Sequence, residues 1–319
     1  MRIGIIGQPC IDEIFHREKP TEKPVLALGG VLYSYAAMER LIQANGSDAD
    51  WFEPLTWHSR QDAAFINSLL DKLPHLERES GLWPTDALTN RVQLVYYSSG
   101  ERAEGCPNAL PELTPEQLTP EYLGQLDGLF VNMISGFDVS IETLEAGLNK
   151  AAKRPFIHLD VHALVLGDLS QPLTPGQYGK GREPRGVKNW RHWLEVVDSV
   201  QLNEFETRWL GYPEVTSEGD LLDFARQHGP WANLKFLIVT RGARGATLHD
   251  LKSGEIHHAA PPKVNVANAT GSGDVFGSAF LYSTLRGSPP PHALKEAVRW
   301  ATWSATLPSV EQILNAPAP

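Results

Sequence analysis

Short apolar runs alternate with amphipathic helical stretches along this chain, and that alternation restricts its possible folds more than any other feature. Ile3–Ile6 reads as a buried strand closed by Gly7. Leu129–Met133, Phe156–Asp160, Ser199–Leu202 and Phe236–Thr240 read the same way. Such short, continuous runs suit strands covered on both faces. Helical patterns occupy Val31–Ile42, just after Gly29-Gly30, and then Ile141–Ala152, Asn189–Val197, Glu204–Leu210 and Leu221–His228. Strands alternating with helices predict an α/β fold, a doubly wound, mostly parallel sheet flanked by helices. Ligands of such sheets sit outside the carboxyl ends of the strands, so polar residues just after a strand carry weight.

Two stretches break the rhythm. Arg91–Ser98 alternates apolar residues (Val92, Leu94, Tyr96) and runs into Gly100–Pro111, rich in Gly, Pro and charge. This predicts an antiparallel excursion, a small β lid. Leu169–Gly186 is rich in Pro and Gly and carries Lys180, Arg182 and Arg185, which predicts a mobile loop. Asn315–Pro319 reads as a frayed end.

The 319 residues are enough to bury a large core. Lys plus Arg number 28 and Asp plus Glu 38, a net charge of −10, which argues against a general nucleic-acid binder. The two cysteines, Cys10 and Cys106, make no disulfide framework and point to a reducing, cytoplasmic setting. The first residues do not read as a signal peptide, and no run reaches the ~18 apolar residues of a membrane helix, so no membrane association is expected.

The chemistry-bearing segment is Asn268-Ala269-Thr270-Gly271-Ser272-Gly273-Asp274. It precedes a helical pattern of Val275, Phe276, Ala279 and Phe280. Glycines at a helix start let backbone approach a ligand, and the free N–H groups there suit a phosphate. Asp274 equally fits the dipole of an ordinary helix start, and the local sequence leaves both readings open. No Lys-Ser/Thr follows the glycines, so this is not a Walker A loop.

The whole chain resembles the ribokinase-like (pfkB) family of carbohydrate and nucleoside kinases. N-A-T-G-S-G-D stands where that family has D-T-x-G-A-G-D. Gly29-Gly30 before a helix resembles its N-terminal double glycine, Asn203-Glu204-Phe205-Glu206 its N-x-x-E motif, and Val239-Thr240-Arg241-Gly242 with Gly245-Ala246 its nucleotide-side strand and turn. The resemblance implies one ribokinase-like kinase domain over 1–319, with lid segments at about 12–28 and 90–106.

It further implies transfer of the γ-phosphoryl group of ATP to a hydroxyl of a sugar, sugar acid or nucleoside. Asp274 would be the general base, and the backbone N–H groups of Gly271, Ser272 and Gly273 an anion hole. Asn203 and Glu206 would order Mg²⁺ through water; a plain capping box is the other reading of that pair. Asn203, Thr240, Arg241, Gly242 and Gly245 would neighbour the nucleotide, with Arg241 equally readable as an exposed charge. Asp12, Gly29, Gly30, Ser34 and Arg91 would face the substrate. For Asp12 and Arg91 the alternatives are a turn-capping loop carboxylate and a solvated edge-strand charge. A homodimer through the lid is also implied.

The chain departs from the pattern in places. Asn268 and Ala269 replace Asp and Thr, which counts against monovalent-cation activation. Glu53–Arg60 lacks the family's G-x-V-G-x-D-x-x-G, and Asp160-Val161-His162 stands for D-P-N, so no particular substrate carries over. His158, His162, His257 and His258 lack the compact ligand spacing of a zinc site. Two competing functions keep the fold: a pyridoxal-type vitamin kinase, which such enzymes usually build without the lid, and a non-catalytic nucleotide or sugar sensor.

Overall fold

The computed structural model describes residues 1–16, 23–45, 49–96, 102–170, 181–229 and 231–319. In chain order the strands are β1 (Arg2–Ile6), β2 (Pro9–His16), β3 (Val25–Gly30), β4 (Trp51–Ser59), β5 (Leu82–Thr85), β6 (Asn90–Tyr96), β7 (Arg102–Gly105), β8 (Gly128–Asn132), β9 (Phe156–Asp160), β10 (Ser199–Asn203), β11 (Phe236–Thr240), β12 (Ala246–Asp250) and β13 (Ile256–Ala259). The helices are α1 (Leu32–Asn45), α2 (Ala63–Leu70), α3 (Pro120–Leu123), α4 (Ile141–Leu148), α5 (His162–Val165), α6 (Trp190–Val196), α7 (Glu218–Gln227), α8 (Ser272–Leu285), α9 (Pro290–Ser304) and α10 (Val310–Asn315).

The large sheet has the order β13-β12-β11-β10-β9-β8-β1-β4-β5. Its strands run parallel except β12 and β13, which turn back antiparallel at one edge. Side chains alternate between two cores, as the pleat requires. Ile3, Ile5, Phe130 and Ile238 face the layer containing α1, α8 and α9. Ile6, Leu129, Val131, Leu159, Leu237 and Val239 face the layer of α4, α6 and α7. Helix α8 is buried from Val275 through Ser283, on all sides, between α1 and α9.

The small sheet has the order β3-β2-β6-β7, with β2 and β6 parallel and the outer pairs antiparallel. It begins at Pro9, a few residues before the expected first lid segment, so Asp12 lies within a strand and not in a loop. The pattern in β6 has a direct consequence. Val92 and Leu94 share one face with Asp12 and Ile14, while Arg91 pairs across from Ile11 on the other. Tyr97, Ser98, Gly100 and Glu101 lie outside the described residues.

Several expectations are corrected. Glu204–Leu210 is not a helix but turns around one 3-10 turn at Glu206–Arg208. Gly211 and Pro213 follow at once, and neither sustains a helix. The chain end is not frayed: the Pro319 carbonyl accepts from Arg299 and the Ala316 carbonyl from Arg40. Of the loop at Leu169–Gly186, 171–180, including Lys180, lies outside the described residues. Its remainder forms one isolated bridge, Pro184 to Leu166. Glu53–Arg60, where no family motif is recognisable, lies largely within β4, parallel to β1. No described helix is long and apolar enough to cross a membrane.

Candidate active site

The carboxyl ends of β8, β9, β10 and β11 present Asn132, Asp160, Asn203 and Thr240; Asn132 stands opposite Asp160, Asp160 opposite Gln201, and Asn203 opposite Thr240. Above them opens a cleft of about 1230 Å³, walled on the other side by β2 and β6 of the small sheet. Into it come Asp12, Gly30, Asn203, Glu206, Thr240, Gly242, Gly245 and the whole segment Asn268–Asp274. Residues separated by most of the chain length thus share one wall.

The glycine turn is built by its own backbone. Gly271 caps α8 in the left-handed region, φ +79°, and a Cβ there would stand 2.1 Å from Cδ1 of Tyr33. Only glycine fits both demands. Gly273 is different: a Cβ would find nothing nearer than 3.6 Å, so that side of the turn is open to the cleft. The N–H groups of Gly271 and Gly273 make no hydrogen bond among the described residues. The Ser272 N–H is spent on the Ala269 carbonyl at 3.2 Å, and its hydroxyl is buried without a partner.

Asp274 accepts from the Asn132 amide at 2.6 Å. The same amide donates to Ser34 Oγ at 2.8 Å, so Ser34 is a buried support for Asn132 and lies behind the cleft wall. Burial pushes the Asp274 carboxyl up to about 6, against the opposing pull of the Asn132 bond and the nearby His162. Asp160 rises to about 7, through burial first and then the charge of Glu206. Gln201 donates to Asp160 at 2.8 Å and to the Gly273 carbonyl at 3.0 Å, tying the end of β9 to the start of α8.

Asn203 and Glu206 form the reciprocal bonds of a capping box. The Asn203 side chain accepts from the N–H of Glu206 at 2.9 Å, and the Glu206 carboxylate accepts from the N–H of Asn203 at 2.7 Å. His162 adds a 2.7 Å contact to Glu206, and that carboxylate holds its imidazole above the usual range despite burial. Among the described residues no three His, Cys, Asp or Glu side chains converge as a metal cage. Water and phosphate oxygens would have to complete a Mg²⁺ shell around Glu206 and Asn203, which suits that ion.

Asp12 is 5% exposed, accepts from Cys10 Sγ at 3.1 Å, and lies so close to Gly29 that a Cβ there would be 2.5 Å from its carboxylate. Four expected site residues stay outside the cleft lining: Gly29, Ser34, Arg91 and Arg241. Arg91, on the far face of β6, pairs with Asp62 at 2.8 Å. Arg241 is turned to Glu218 and Glu204 and bonds the Val239 carbonyl and Thr247. Asn132, Asp160, His162, Gln201 and Tyr33 were missed from the sequence. The first two had a legible signal, a polar residue at the end of an apolar strand.

Comparison with known proteins agrees with this geometry. Residues 182–315 match the family described as pfkB family carbohydrate kinase. A fructokinase of Escherichia coli is 31% identical over 91 residues, 28% of this chain and 27% of that protein. This chain therefore aligns with only about a quarter of that relative. A pyrophosphate-dependent kinase in the ribokinase family superposes with a TM-score of 0.72 at 17% identity, covering 99% of this chain and 100% of that one. A ribokinase from Thermotoga maritima gives 0.69 at 19% identity, covering 99% and 96%. The chain has the ribokinase-like fold throughout, and its residues 182–315 carry the sequence pattern of the pfkB carbohydrate kinases.

Proposed function

We propose that this protein transfers the γ-phosphoryl group of ATP to a hydroxyl of a sugar, sugar acid or nucleoside. One observation carries this reading: a carboxylate of raised basicity and the open N–H groups of a helix start share the cleft at the carboxyl ends of the parallel strands. Asp274, ionised at neutral pH yet more basic than a free carboxylate, takes the proton of the attacking hydroxyl. The new O–P bond forms as the bond to the β-phosphate oxygen breaks and ADP leaves. The N–H groups of Gly271 and Gly273 face the charge on the transferred group. Mg²⁺, when bound, neutralises phosphate charge. Asn203 and Glu206 stand where its waters would be held, and their mutual capping bonds keep both side chains fixed there. Asn268 spends its amide on the Pro308 carbonyl and the Thr270 N–H, so no monovalent cation enters the reading.

ATP is preferred over pyrophosphate as donor for a specific reason. Val264 and Val266 stand 39% and 62% exposed in the same cleft as Ala301, Ala305 and Pro308. An adenine would cover this apolar wall, whereas pyrophosphate has nothing to place there. The small sheet favours a sugar or nucleoside over a vitamin acceptor.

The test is a screen of purified protein with Mg-ATP or Mg-pyrophosphate against sugars, sugar acids, polyols and nucleosides, read by ADP or phosphate release. ATP should support one acceptor class, and Asp274→Asn should lower kcat by about 10²–10⁴-fold. Activity that survives Asp274→Asn refutes the mechanism. ATP binding with no acceptor phosphorylated favours a sensor.

A further inference from the structure

The first turn of α1 carries two tyrosines, Tyr33 and Tyr35, and of these Tyr33 lines the cleft while most of that helix is packed away from solvent. Its ring is set by one backbone turn and one close approach. Gly30, at φ +64°, turns the chain from β3 into α1, and Gly271 leaves room for the ring, since an added Cβ would stand 2.1 to 2.6 Å from Cδ1, Cγ and Cε1. Tyr33 therefore follows the turn that leaves β3 and packs against the turn that presents the anion hole. It lines the cleft, and its hydroxyl makes no hydrogen bond among the described residues. Burial first, and then the charges of Asp12 and Asp274, keep the phenol protonated as a donor.

This combination is chemically specific. A carboxylate only accepts hydrogen bonds, so Asp12 and Asp274 can bind the O–H of an acceptor but leave its oxygen lone pairs unmatched. A phenol lining the same cleft supplies the missing donor. We propose that Tyr33 is a specificity-determining residue, whose hydroxyl donates to an acceptor hydroxyl neighbouring the one at Asp274. The acceptor class that satisfies all three groups is a neutral polyol or glycosyl ring with adjacent hydroxyls. The inference rests on the kinase reading, yet it can be tested apart from it.

The experiment compares wild type with Tyr33→Phe, which keeps the ring under Gly271 and removes only the donor. D-ribose, D-fructose, myo-inositol and cytidine serve as probes, in ADP-release kinetics and in calorimetric binding. For whichever probe is used by the protein, Tyr33→Phe should raise the acceptor KM about 5- to 10-fold, with kcat within about 2-fold and the KM for ATP unchanged. The deoxy analogue lacking the neighbouring hydroxyl should bind both proteins equally. If a probe binds without being phosphorylated, the kinase reading fails, while the same 5- to 10-fold loss in affinity still supports Tyr33. An unchanged acceptor KM or affinity, an equal rise in the KM for ATP, or no binding of any probe to wild type overturns the inference.

Discussion

On the proposed mechanism, Asn132 would control the base Asp274 more directly than any residue legible in the motif. Its amide bonds the Asp274 carboxylate at 2.6 Å, and that bond favours the ionised form against burial. Removing it should raise the Asp274 pKa above about 6. A base works only when deprotonated, so the acid limb of kcat/KM for Asn132→Ala should move to higher pH, by roughly half a unit or more. Ser34→Ala should do the same more weakly, because Ser34 only steadies the Asn132 amide. A pH–rate profile on the acceptor identified by the screen checks this. A limb that stays in place in both variants would mean that another group sets it.

At the scale of elements, the turn into α8 separates folding from chemistry within three residues. Gly271→Ala must adopt a positive φ, which costs roughly 1–2 kcal/mol, and must also displace the Tyr33 ring. Its Tm should fall by about 5 °C. Gly273→Ala meets only ordinary contacts, at 3.6 Å to Gln201 and 3.7 Å to Asp160, so its Tm should stay within about 2 °C. Its methyl would stand where the turn opens to the cleft, and kcat should fall by about 10-fold or more. Thermal unfolding and kinetics on the two variants separate these effects, and a Gly273→Ala protein of full activity would remove Gly273 from the anion hole. The two glycines look alike in the sequence, and only the backbone reveals that Gly271 is hemmed in by the Tyr33 ring while Gly273 stays open to the cleft. The same limit governs what else was legible. The strands β8, β9, β10 and β11 were visible as continuous apolar runs, and a strand end is also where Asn203 and Thr240 were found. The edge strands β12 and β13 and the helix α9 carry no such uninterrupted signal, and they emerged only with the fold. Arg91 was misplaced because alternation identifies two faces of β6 without saying which one meets the cleft. Arg241 lies outside that cleft, in an adjoining hollow with Asn203, Thr240 and Gly242, and its pairing with Glu218 was not legible because that partner is distant in sequence.

Across the whole molecule, the cleft is a concentration of negative charge in a protein of net charge −10, and the fold bears its cost. Asp160 and Asp274 titrate at about 7 and about 6 in the folded chain, against roughly 3.9 for an unfolded aspartate. Between those values the folded state holds more protons than the unfolded state. Stability from these groups is therefore fully present below about pH 4 and is lost as the pH rises through 6 and 7. Asp160→Asn cannot ionise, so it escapes that loss. Whatever constant offset the substitution brings through its bonds to Gln201 and the His162 N–H, its Tm relative to wild type should become more favourable from pH 5 to pH 8. The rise should reach several degrees, since about 1 kcal/mol corresponds to roughly 2–4 °C in a chain of this size. Thermal unfolding of both proteins at pH 5, 6, 7 and 8, without nucleotide, measures it, and a Tm difference independent of pH would sink the idea. On the proposed metal site, adding Mg-ATP should shrink the difference, because a cation held through Glu206 would offset the charge that Asp160 feels. If Asp274 is the base, a site that is unstable when empty at the pH where that carboxylate is ionised is the arrangement expected of a fold that spends stability on chemistry.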